Sequence, residues 1–482
     1  MRHRRFFGKR YAACRRLPIF LVFRQKTSHI AAMTKRLRWL LAILLVAIAG
    51  GLAWRALAPH EPVYRGKSLS AWLESYPVFN VPVEGQEQRA NEAVRHMGTN
   101  ALPALLAMAQ TRDSHFKNNL TQLLSKQSLI DFDPTPAFAQ RRRAVYGFDA
   151  LGATAEPAIP KLTELLNNPA LAYEAADALA KISPKAIPPL IDALTNQNFK
   201  IRVLAARALG VGLATDLSAD VATIPRLGSN PHLAILALIS AAQDTNKSVR
   251  LIALFSLGRI AQEPEVVIPA LLALLSAGDA DSRSGAAQAL AQFGENARPA
   301  IPTLIKLLGN RTTVDNAAMA LARIGWEGVS PLTEALANPD GRVRVRAALA
   351  LGKYIKPNPG EEPVKPRTPQ EIDAAARIAI PALLNRLQDP DPMVRSWSAW
   401  SLGCYARDPE LVVPALSQLL ANREIRPRSF AIIALQQFGT NAQSAVPILL
   451  NLLQDSSFNV RESTTNALKA IDPSAAAKAG VQ

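Results

Sequence analysis

Residues that could bind a metal ion are few in this sequence, and they do not cluster. All six histidines lie at or before His232, and the one His-Glu pair is His60-Glu61. The two cysteines, Cys14 and Cys404, are far apart, and the sequence has no Cys-x-x-Cys motif. Protein metal sites need several such ligands at close spacing. The sequence therefore predicts no metal site.

Motifs for phosphate binding, acyl transfer and carboxylate catalysis are equally weak. Gly66-Lys67-Ser68 matches the end of a phosphate-binding loop, but Glu61 stands where that loop requires a glycine. Glu361-Glu362 lies in a proline-rich stretch, where a solvated loop is the simpler interpretation. Neither GxSxG nor a GxGxxG that follows a strand is present. We therefore expect no catalytic residue, no cofactor and no enzymatic activity.

Positive charge is concentrated in the first 55 residues. The chain of 482 residues has a formal net charge of +17, yet 13 of its 55 Lys and Arg residues, and none of its acids, lie in this leader. The rest of the chain has a net charge of only +4. Proteins that bind duplex nucleic acid place their basic residues on a folded surface. Nucleic acid is therefore not an expected partner.

A single membrane anchor is predicted at residues 39–55. The run from Trp39 to Trp54 is uncharged, and its 16 residues would form about 24 Å of helix, against the ~30 Å of a bilayer core. Flanking arginines can extend this reach by snorkelling. The alternatives are a buried helix and a cleaved signal peptide, although Pro59 makes cleavage after residues 56–58 unfavourable.

The distribution of charge predicts the orientation of this anchor. Of the 13 leader cations, 12 precede the anchor, so residues 1–38 should form a basic cytoplasmic leader. A juxtamembrane linker with a first helix, residues 56–86, and all that follows should face the periplasm or cell exterior. Met33 is an alternative start of translation. We thus expect a single-pass protein of a bacterial inner membrane, with Cys14 and Cys404 on opposite sides and unable to pair.

One segment recurs along the chain. Residues 294–304, GENARPAIPTL, match residues 152–162, GATAEPAIPKL, and shorter copies begin at Gly98 and Gly439. Before each copy, and at other places, an Ala-rich stretch ends in a large apolar residue, which we call the anchor residue. The anchor residues are Val94, Phe148, Leu179, Leu209, Leu257, Leu290, Leu321, Leu351, Leu402, Leu435 and Leu468. Most are 30 to 33 residues apart, a period typical of stacked repeats.

Each unit is predicted to contain two short helices. Ile301-Pro302 starts a first helix with proline in its first turn, and Asp391 is placed to cap a second helix. The second helices open with a recurrent pair: Ile201-Arg202, Val249-Arg250, Val343-Arg344, Val394-Arg395 and Val460-Arg461. With the Ala-rich core and the Ala-Ile-Pro restart, these residues resemble the HEAT family, and in particular the short HEAT-like repeat of phycobilisome lyases.

The resemblance covers about residues 87–475 and implies an all-α fold. The expected architecture is an α-solenoid of about eleven HEAT-like helical hairpins, preceded by one transmembrane helix. The three longer steps between anchor residues predict insertions near 110–140, 211–232 and 353–374, and residues 476–482 form a short tail. Ser68 or Ser70 should cap the first helix, before Trp72 and Leu73.

Proteins of this kind most often bind other macromolecules, so the resemblance implies a protein-binding scaffold without catalysis. Two related families leave an enzymatic alternative. Deoxyhypusine hydroxylases bind a di-iron centre through several His-Glu pairs, which are absent from these repeats. Bilin lyases handle tetrapyrroles and lack so clear a motif, but an outward-facing domain is the wrong compartment for that chemistry.

The predicted helical geometry separates structural from candidate binding residues. Arg250, Arg344, Arg395 and Arg461, seven residues before the anchor residue, fall on the buried side and are expected to bond a neighbouring Asp or carbonyl. Positions two and five residues before the anchor residue should point outward, Asp177 among them. At these positions two adjacent units carry a candidate partner-binding cluster: Trp397, Trp400, Phe430 and Ile433. Packing on their own first helices, or under residues 355–372, is the alternative.

Overall fold

The computed structural model describes residues 61–76, 85–113, 136–213, 231–356 and 367–481. The predicted leader, the predicted anchor at 39–55 and Met33 lie outside these ranges, as do parts of the three predicted insertions, residues 114–135, 214–230 and 357–366. Among the helices within them, none combines the length and the apolar character that crossing a bilayer requires.

Short helices dominate the described residues, which form a compact unit within Pro62–Gln482. Two short strands, β1 (Val63–Tyr64) and β2 (Lys67–Ser68), pair in antiparallel fashion before the helices begin. The first eleven helices are α1 (Leu69–Leu73), α2 (Gln86–Met97), α3 (Leu102–Ala109), α4 (Ala137–Leu151), α5 (Ile159–Leu166), α6 (Ala172–Leu179), α7 (Ile187–Ala193), α8 (Phe199–Leu213), α9 (His232–Ala241), α10 (Lys247–Ile260) and α11 (Pro264–Ala277). The next twelve are α12 (Ala280–Leu290), α13 (Ile301–Leu308), α14 (Val314–Ile324), α15 (Val329–Ala335), α16 (Gly341–Ile355), α17 (Pro369–Arg386), α18 (Pro392–Tyr405), α19 (Pro409–Leu419), α20 (Ile425–Phe438), α21 (Val446–Leu452), α22 (Phe458–Ile471) and α23 (Pro473–Lys478).

The even-numbered helices from α2 to α22 are the second helices of eleven successive units. Each contains one anchor residue, and all eleven anchor residues are at most 1% exposed. Neighbouring even-numbered helices pack on one another, and odd-numbered helices pack against them. This arrangement confirms the predicted solenoid of helical hairpins, in which each unit buries its apolar faces against adjacent units.

The segment that begins with β1 and α1 follows the sequence prediction and adds a feature that was not predicted. Ser68 caps α1 by accepting a hydrogen bond from the Ala71 N–H, and Leu73 is fully buried. The β-hairpin before α1 was missed. Its turn places Gly66 at φ 77°, and the indole N–H of Trp72 donates to the Tyr64 carbonyl across 3.1 Å.

The recurrent arginine secures the loop that precedes its second helix in several of the units. Nη1 of Arg344 donates to the carbonyls of Asn338 and Pro339, both at 2.9 Å. The same pair of bonds, to the carbonyls six and five residues upstream, is made by Arg202, Arg250, Arg395 and Arg461. Each arginine thus satisfies loop carbonyls that have no helical partner.

The other guanidinium nitrogens join one unit to the next. Arg344 binds both carboxylate oxygens of Asp389 at 2.8 and 2.9 Å, and Arg250 binds Asp279 at 2.6 Å. Arg395 binds Glu424 at 2.8 Å. These bonds confirm the predicted structural role of the arginines.

A further arginine of this type escaped the sequence pattern. Arg428 follows proline instead of Val or Ile, yet it bonds the carbonyls of Asn422 and Arg423 and the carboxylate of Asp455. The signal that could have found it is its position seven residues before Leu435.

Candidate functional site

Four consecutive second helices place apolar side chains in one line. Met319, Leu349, Trp400 and Ile433 each lie two residues before the anchor residue of α14, α16, α18 and α20. Because the repeat period is kept, equivalent positions of neighbouring units fall side by side. Together with Lys353, Trp397 and Phe430 they line a groove of about 570 Å³, which we call the aromatic groove.

The aromatic rings of the groove hold one another in fixed orientations. Trp397 and Trp400 meet edge to face, with ring centroids 5.6 Å apart at 88°. Trp397 and Phe430 meet in the same way, with centroids 5.1 Å apart at 85°. Edge-to-face pairs contribute about 0.5–1.5 kcal/mol each beyond the burial of area. The groove is therefore organised before any partner binds.

Trp400 is positioned by a close approach of two helices. A Cβ added to Gly352 of α16 would collide with the Trp400 ring and lie 2.5 Å from Oγ of Ser401. That hydroxyl donates to the carbonyl of Ala348 across 2.6 Å. Gly352, which follows the anchor residue Leu351, thus makes room for Trp400 and Ser401, which precede the anchor residue Leu402. One edge of the indole packs on α16, while the ammonium of Lys353 lies 5.5 Å from its ring centroid.

The structure brings all four predicted candidate residues together. Trp397, Trp400, Phe430 and Ile433 line the same groove, and each is half-buried. The two tryptophans pack partly on neighbouring second helices, as Trp400 does on α16, and keep the rest of their surface in the groove. Residues 357–366, which belong to the segment proposed as an alternative cover, lie outside the described residues.

Sequence reasoning missed three lining residues. Met319 and Leu349 occupy the same outward position as Trp400, but their units contain no aromatic residue there, so they did not stand out. Lys353 lies two residues after Leu351 and was not singled out. A search for apolar residues two positions before each anchor residue would have found the first two.

One residue predicted to point outward is buried. Asp177, two residues before its anchor residue, is only 8% exposed. Arg207 of the following second helix binds it at 2.7 Å, and Arg142 of the preceding one lies 3.5 Å away. The prediction was wrong at this position because the outward face of one helix is partly covered by long side chains of its neighbours.

Two observations concern metal binding and nucleophilic chemistry among the described residues. Among them, no group of three or more His, Cys, Asp or Glu side chains could hold a metal ion. Burial raises the pKa of the Cys404 thiol to about 12, although Lys356 and Lys353 act to lower it. A thiol with so high a pKa is a poor nucleophile at neutral pH.

Family models match several parts of the chain. HEAT repeats match residues 235–322 and 413–479, and a further HEAT repeat matches 379–408. The PBS lyase HEAT-like repeat matches residues 171–196 and 315–338. The chain therefore contains both kinds of repeat, in agreement with the resemblance carried by its recurrent arginines. No curated protein matches the chain.

Solved structures are similar in fold. A chain of the Kap95:Nup1 complex has a TM-score of 0.50 and 14% sequence identity, over 83% of this chain and 60% of that one. A chain of the complex of Kap95p with RanGDP has a TM-score of 0.48 and 14% identity, with the same coverage. An engineered protein has a TM-score of 0.31 and 20% identity, over 83% of this chain and 98% of that one. At 14% identity, the likeness to the chain of the Kap95:Nup1 complex concerns the fold alone.

Proposed function

We propose that this chain is a membrane-anchored HEAT-repeat scaffold that binds a protein partner through the aromatic groove and catalyses no reaction. The observation that carries the proposal is the line of large apolar side chains across four second helices, with two tryptophans at its centre. Aromatic residues in a preformed groove are typical energetic centres of protein interfaces. Stacked repeats present such extended binding surfaces.

The similar fold in the Kap95:Nup1 complex supports this proposal, because there a solenoid occurs together with a protein partner.

The extent of the aromatic groove along the repeats also supports the proposal. The second helix beyond Ile433, α22, has Ser463 and Asn466 at the equivalent positions, and α12 has Gly285 and Gln288. The apolar stripe is thus confined to four units, as a defined contact area requires.

Site-specific cross-linking tests the proposal in the full chain. A photoreactive benzoylphenylalanine at Ile433 should give a discrete cross-linked partner in cells. The matched control is the same residue at Phe255, which also lies two residues before its anchor residue, is 48% exposed and lies outside the groove. Identical cross-links at both positions, or none at Ile433, would contradict the proposal.

The identified partner then allows a measurement of affinity. Ile433→Arg places a charge in the groove and should weaken binding at least about thirtyfold, as expected for a residue near an interface centre. Phe255→Arg should leave the affinity within about twofold. Equal effects of the two substitutions would place the interface elsewhere.

The location of the scaffold belongs to the same proposal. Residues 39–55 form the anchor, residues 1–38 remain in the cytoplasm, and the repeats face the periplasm or cell exterior, on the basis of hydropathy and the charge of the leader. Alkaline phosphatase, which is active only after export, should be active when fused after residue 60. If the fusion is inactive although it is present in membranes, the orientation is opposite to the one proposed.

A further inference from the structure

We propose that the β-hairpin before α1 docks on acidic phospholipid headgroups of the bilayer that holds the anchor, through Arg65 and Lys67. This rests on the proposed function, since it needs the anchor at residues 39–55. It adds a second, reversible contact between the chain and the membrane. The docking surface consists of the two cations with Val63 beside them.

The length of the chain keeps the hairpin close to the proposed anchor. Seven residues, 56–62, separate Arg55 from Val63, the first residue of β1. The eight steps from Arg55 to Val63 span at most about 28 Å, because an extended chain advances at most about 3.5 Å per residue. A surface of lipid headgroups at the end of the anchor is therefore a partner whose distance from the hairpin is limited by the chain itself.

The hairpin exposes an aliphatic side chain together with cations. Val63 is 65% exposed, the side chain of Arg65 is 69% exposed, and Lys67 is exposed as well. Between residues 55 and 68 the sequence has three Lys or Arg residues and one acid, Glu61. Cations close to an anionic leaflet strengthen binding about fivefold each. The surface of the hairpin therefore suits acidic headgroups.

One acid of α2 lies beside this surface. Glu92 is 3.8 Å from Arg65, and its side chain is 53% exposed. An ion pair between two such exposed side chains is weak and is screened by salt. Arg65 can therefore exchange this carboxylate for a lipid phosphate.

The turn holds a cation in a backbone conformation that disfavours it. Arg65 and Gly66 have φ angles of 47° and 77°, and they join the paired residues Tyr64 and Lys67. Two-residue turns with positive φ at both central positions prefer Asn, Asp or Gly at the first of them. Arginine there stores backbone strain that asparagine would reduce, and such strain is typical of functional sites.

Aromatic rings hold both cations in place. The guanidinium carbon of Arg65 lies 5.2 Å from the centroid of the Tyr64 ring. The ammonium of Lys67 lies 5.0 Å from the centroid of the Trp72 ring. Tyr64 in turn stacks on His96 of α2, with centroids 4.8 Å apart. The cations are thus ordered before lipid binds, beside the two aromatic residue types that are enriched at membrane surfaces.

Fluorescence quenching measures whether the hairpin contacts the headgroups. The full chain, with Cys14→Ser and a fluorophore attached at Val63→Cys, is placed in nanodiscs that contain a headgroup spin label. Cys404 should react little, because burial raises the pKa of its thiol to about 12. Quenching should be strong in phosphatidylcholine with phosphatidylglycerol and weak in phosphatidylcholine alone. It should decrease as salt rises from about 0.1 to 0.5 M, since exposed charges are screened.

The matched control for the label is Phe458→Cys in α22. Phe458 is 67% exposed, so a fluorophore is as accessible there as at Val63. Its quenching should be the same in both kinds of nanodisc.

Substitutions of the cations separate lipid binding from the stability of the turn. Arg65→Asn suits a positive φ, so its unfolding temperature should be unchanged or higher, yet the equilibrium constant for docking should decrease about fivefold. Adding Lys67→Gln should bring the decrease to about twenty-fivefold. The matched control is Lys469→Gln, which removes an exposed cation of α22 and should change docking by less than about twofold.

The outcomes distinguish this docking from the anchor on which it rests. If quenching at Val63→Cys is equal in the two kinds of nanodisc, or the double variant docks as well as the unaltered hairpin, the hairpin does not bind acidic lipid, while the anchor stands. If alkaline carbonate releases the chain from the nanodiscs, the anchor is wrong and the docking proposal fails with it.

Discussion

At the scale of a residue, Arg344 shows how the units are joined and how strongly. Its side chain is 12% exposed and binds two loop carbonyls and Asp389, whose carboxylate is fully buried. Arg344→Ala removes the two bonds from Arg344 to the Asp389 carboxylate, and Arg386 at 3.3 Å is then its remaining arginine partner. We therefore expect the free energy of unfolding, measured with urea, to decrease by about 2–3 kcal/mol. The control Arg342→Ala, half-exposed and 3.6 Å from Asp315, should cost less than about 1 kcal/mol. Equal losses in Arg344→Ala and Arg342→Ala would contradict the structural role of Arg344.

The same bonds predict how stability depends on pH. Burial acts to raise the pKa of Asp389, but hydrogen bonds from Arg344 and from the Asp391 N–H outweigh it and hold this pKa below the ordinary value. A carboxylate whose pKa is lower in the folded state stabilises the fold above its ordinary pKa of about 3.9 and loses this contribution as pH falls through the folded pKa. The urea concentration at the unfolding midpoint should therefore decrease as the pH is lowered through the ordinary pKa of about 3.9 and further. The urea midpoint of Asp389→Asn should be lower at pH 7 and should decrease less on acidification. Parallel curves for the two proteins would contradict the assignment of this pH dependence to Asp389.

At the scale of the element, Gly352 controls the distance between α16 and α18. Gly352→Ala places a methyl group against Trp400 and Ser401, so the helices must separate or the indole must turn, at a cost of about 1–3 kcal/mol measured by thermal unfolding. It should also weaken partner binding, because Trp400 forms part of the aromatic groove. Gly309→Ala is the matched control, since the nearest atom to its added Cβ is 3.7 Å away. A control as destabilised as Gly352→Ala would mean that the contact with Trp400 is not the cause.

The element is also the scale at which the sequence was most informative. Helical pairs, buried anchor residues and structural arginines follow from a period of 30 to 33 residues, because one packing solution is repeated. The hairpin before α1 lies outside the repeated pattern, so periodicity could not reveal it. Arg428 keeps the repeated spacing to Leu435, but the proline before it hid it from a search for Val-Arg or Ile-Arg pairs. Asp177 was predicted to point outward because a helical wheel describes one helix by itself and leaves out the neighbouring helices whose side chains bury this residue. The lining of the groove by Lys353 depends on how four units lie side by side, which no single unit encodes.

At the scale of the whole molecule, the stacking of units implies that stability is local. Second helices pack on the units before and after them, so the apolar core of the described residues continues from each unit to the next through contacts between neighbours. Repeat arrays of this kind behave as a sum of units and interfaces between neighbours. The closest packing in the groove region, at Gly352 with Trp400 and at Gly403 with Ala434, joins α16, α18 and α20. The aromatic groove is thus built on units that support one another directly.

A substitution in one unit should therefore loosen that unit and its neighbours, and leave distant units unchanged. Arg344→Ala is expected to speed amide hydrogen exchange in α16 and α18 about thirtyfold, for a local loss of about 2 kcal/mol, with no change in α4 and α6. The reciprocal variant is Arg141→Ala, which removes bonds of 2.9 Å to the Thr111 carbonyl and 3.1 Å to Glu174. It should speed exchange in α4 and α6 and leave α16 and α18 unchanged. Exchange that rises uniformly along the chain in either variant would show a single cooperative unit, in which binding at the aromatic groove would stabilise every repeat alike instead of mainly α14 to α20.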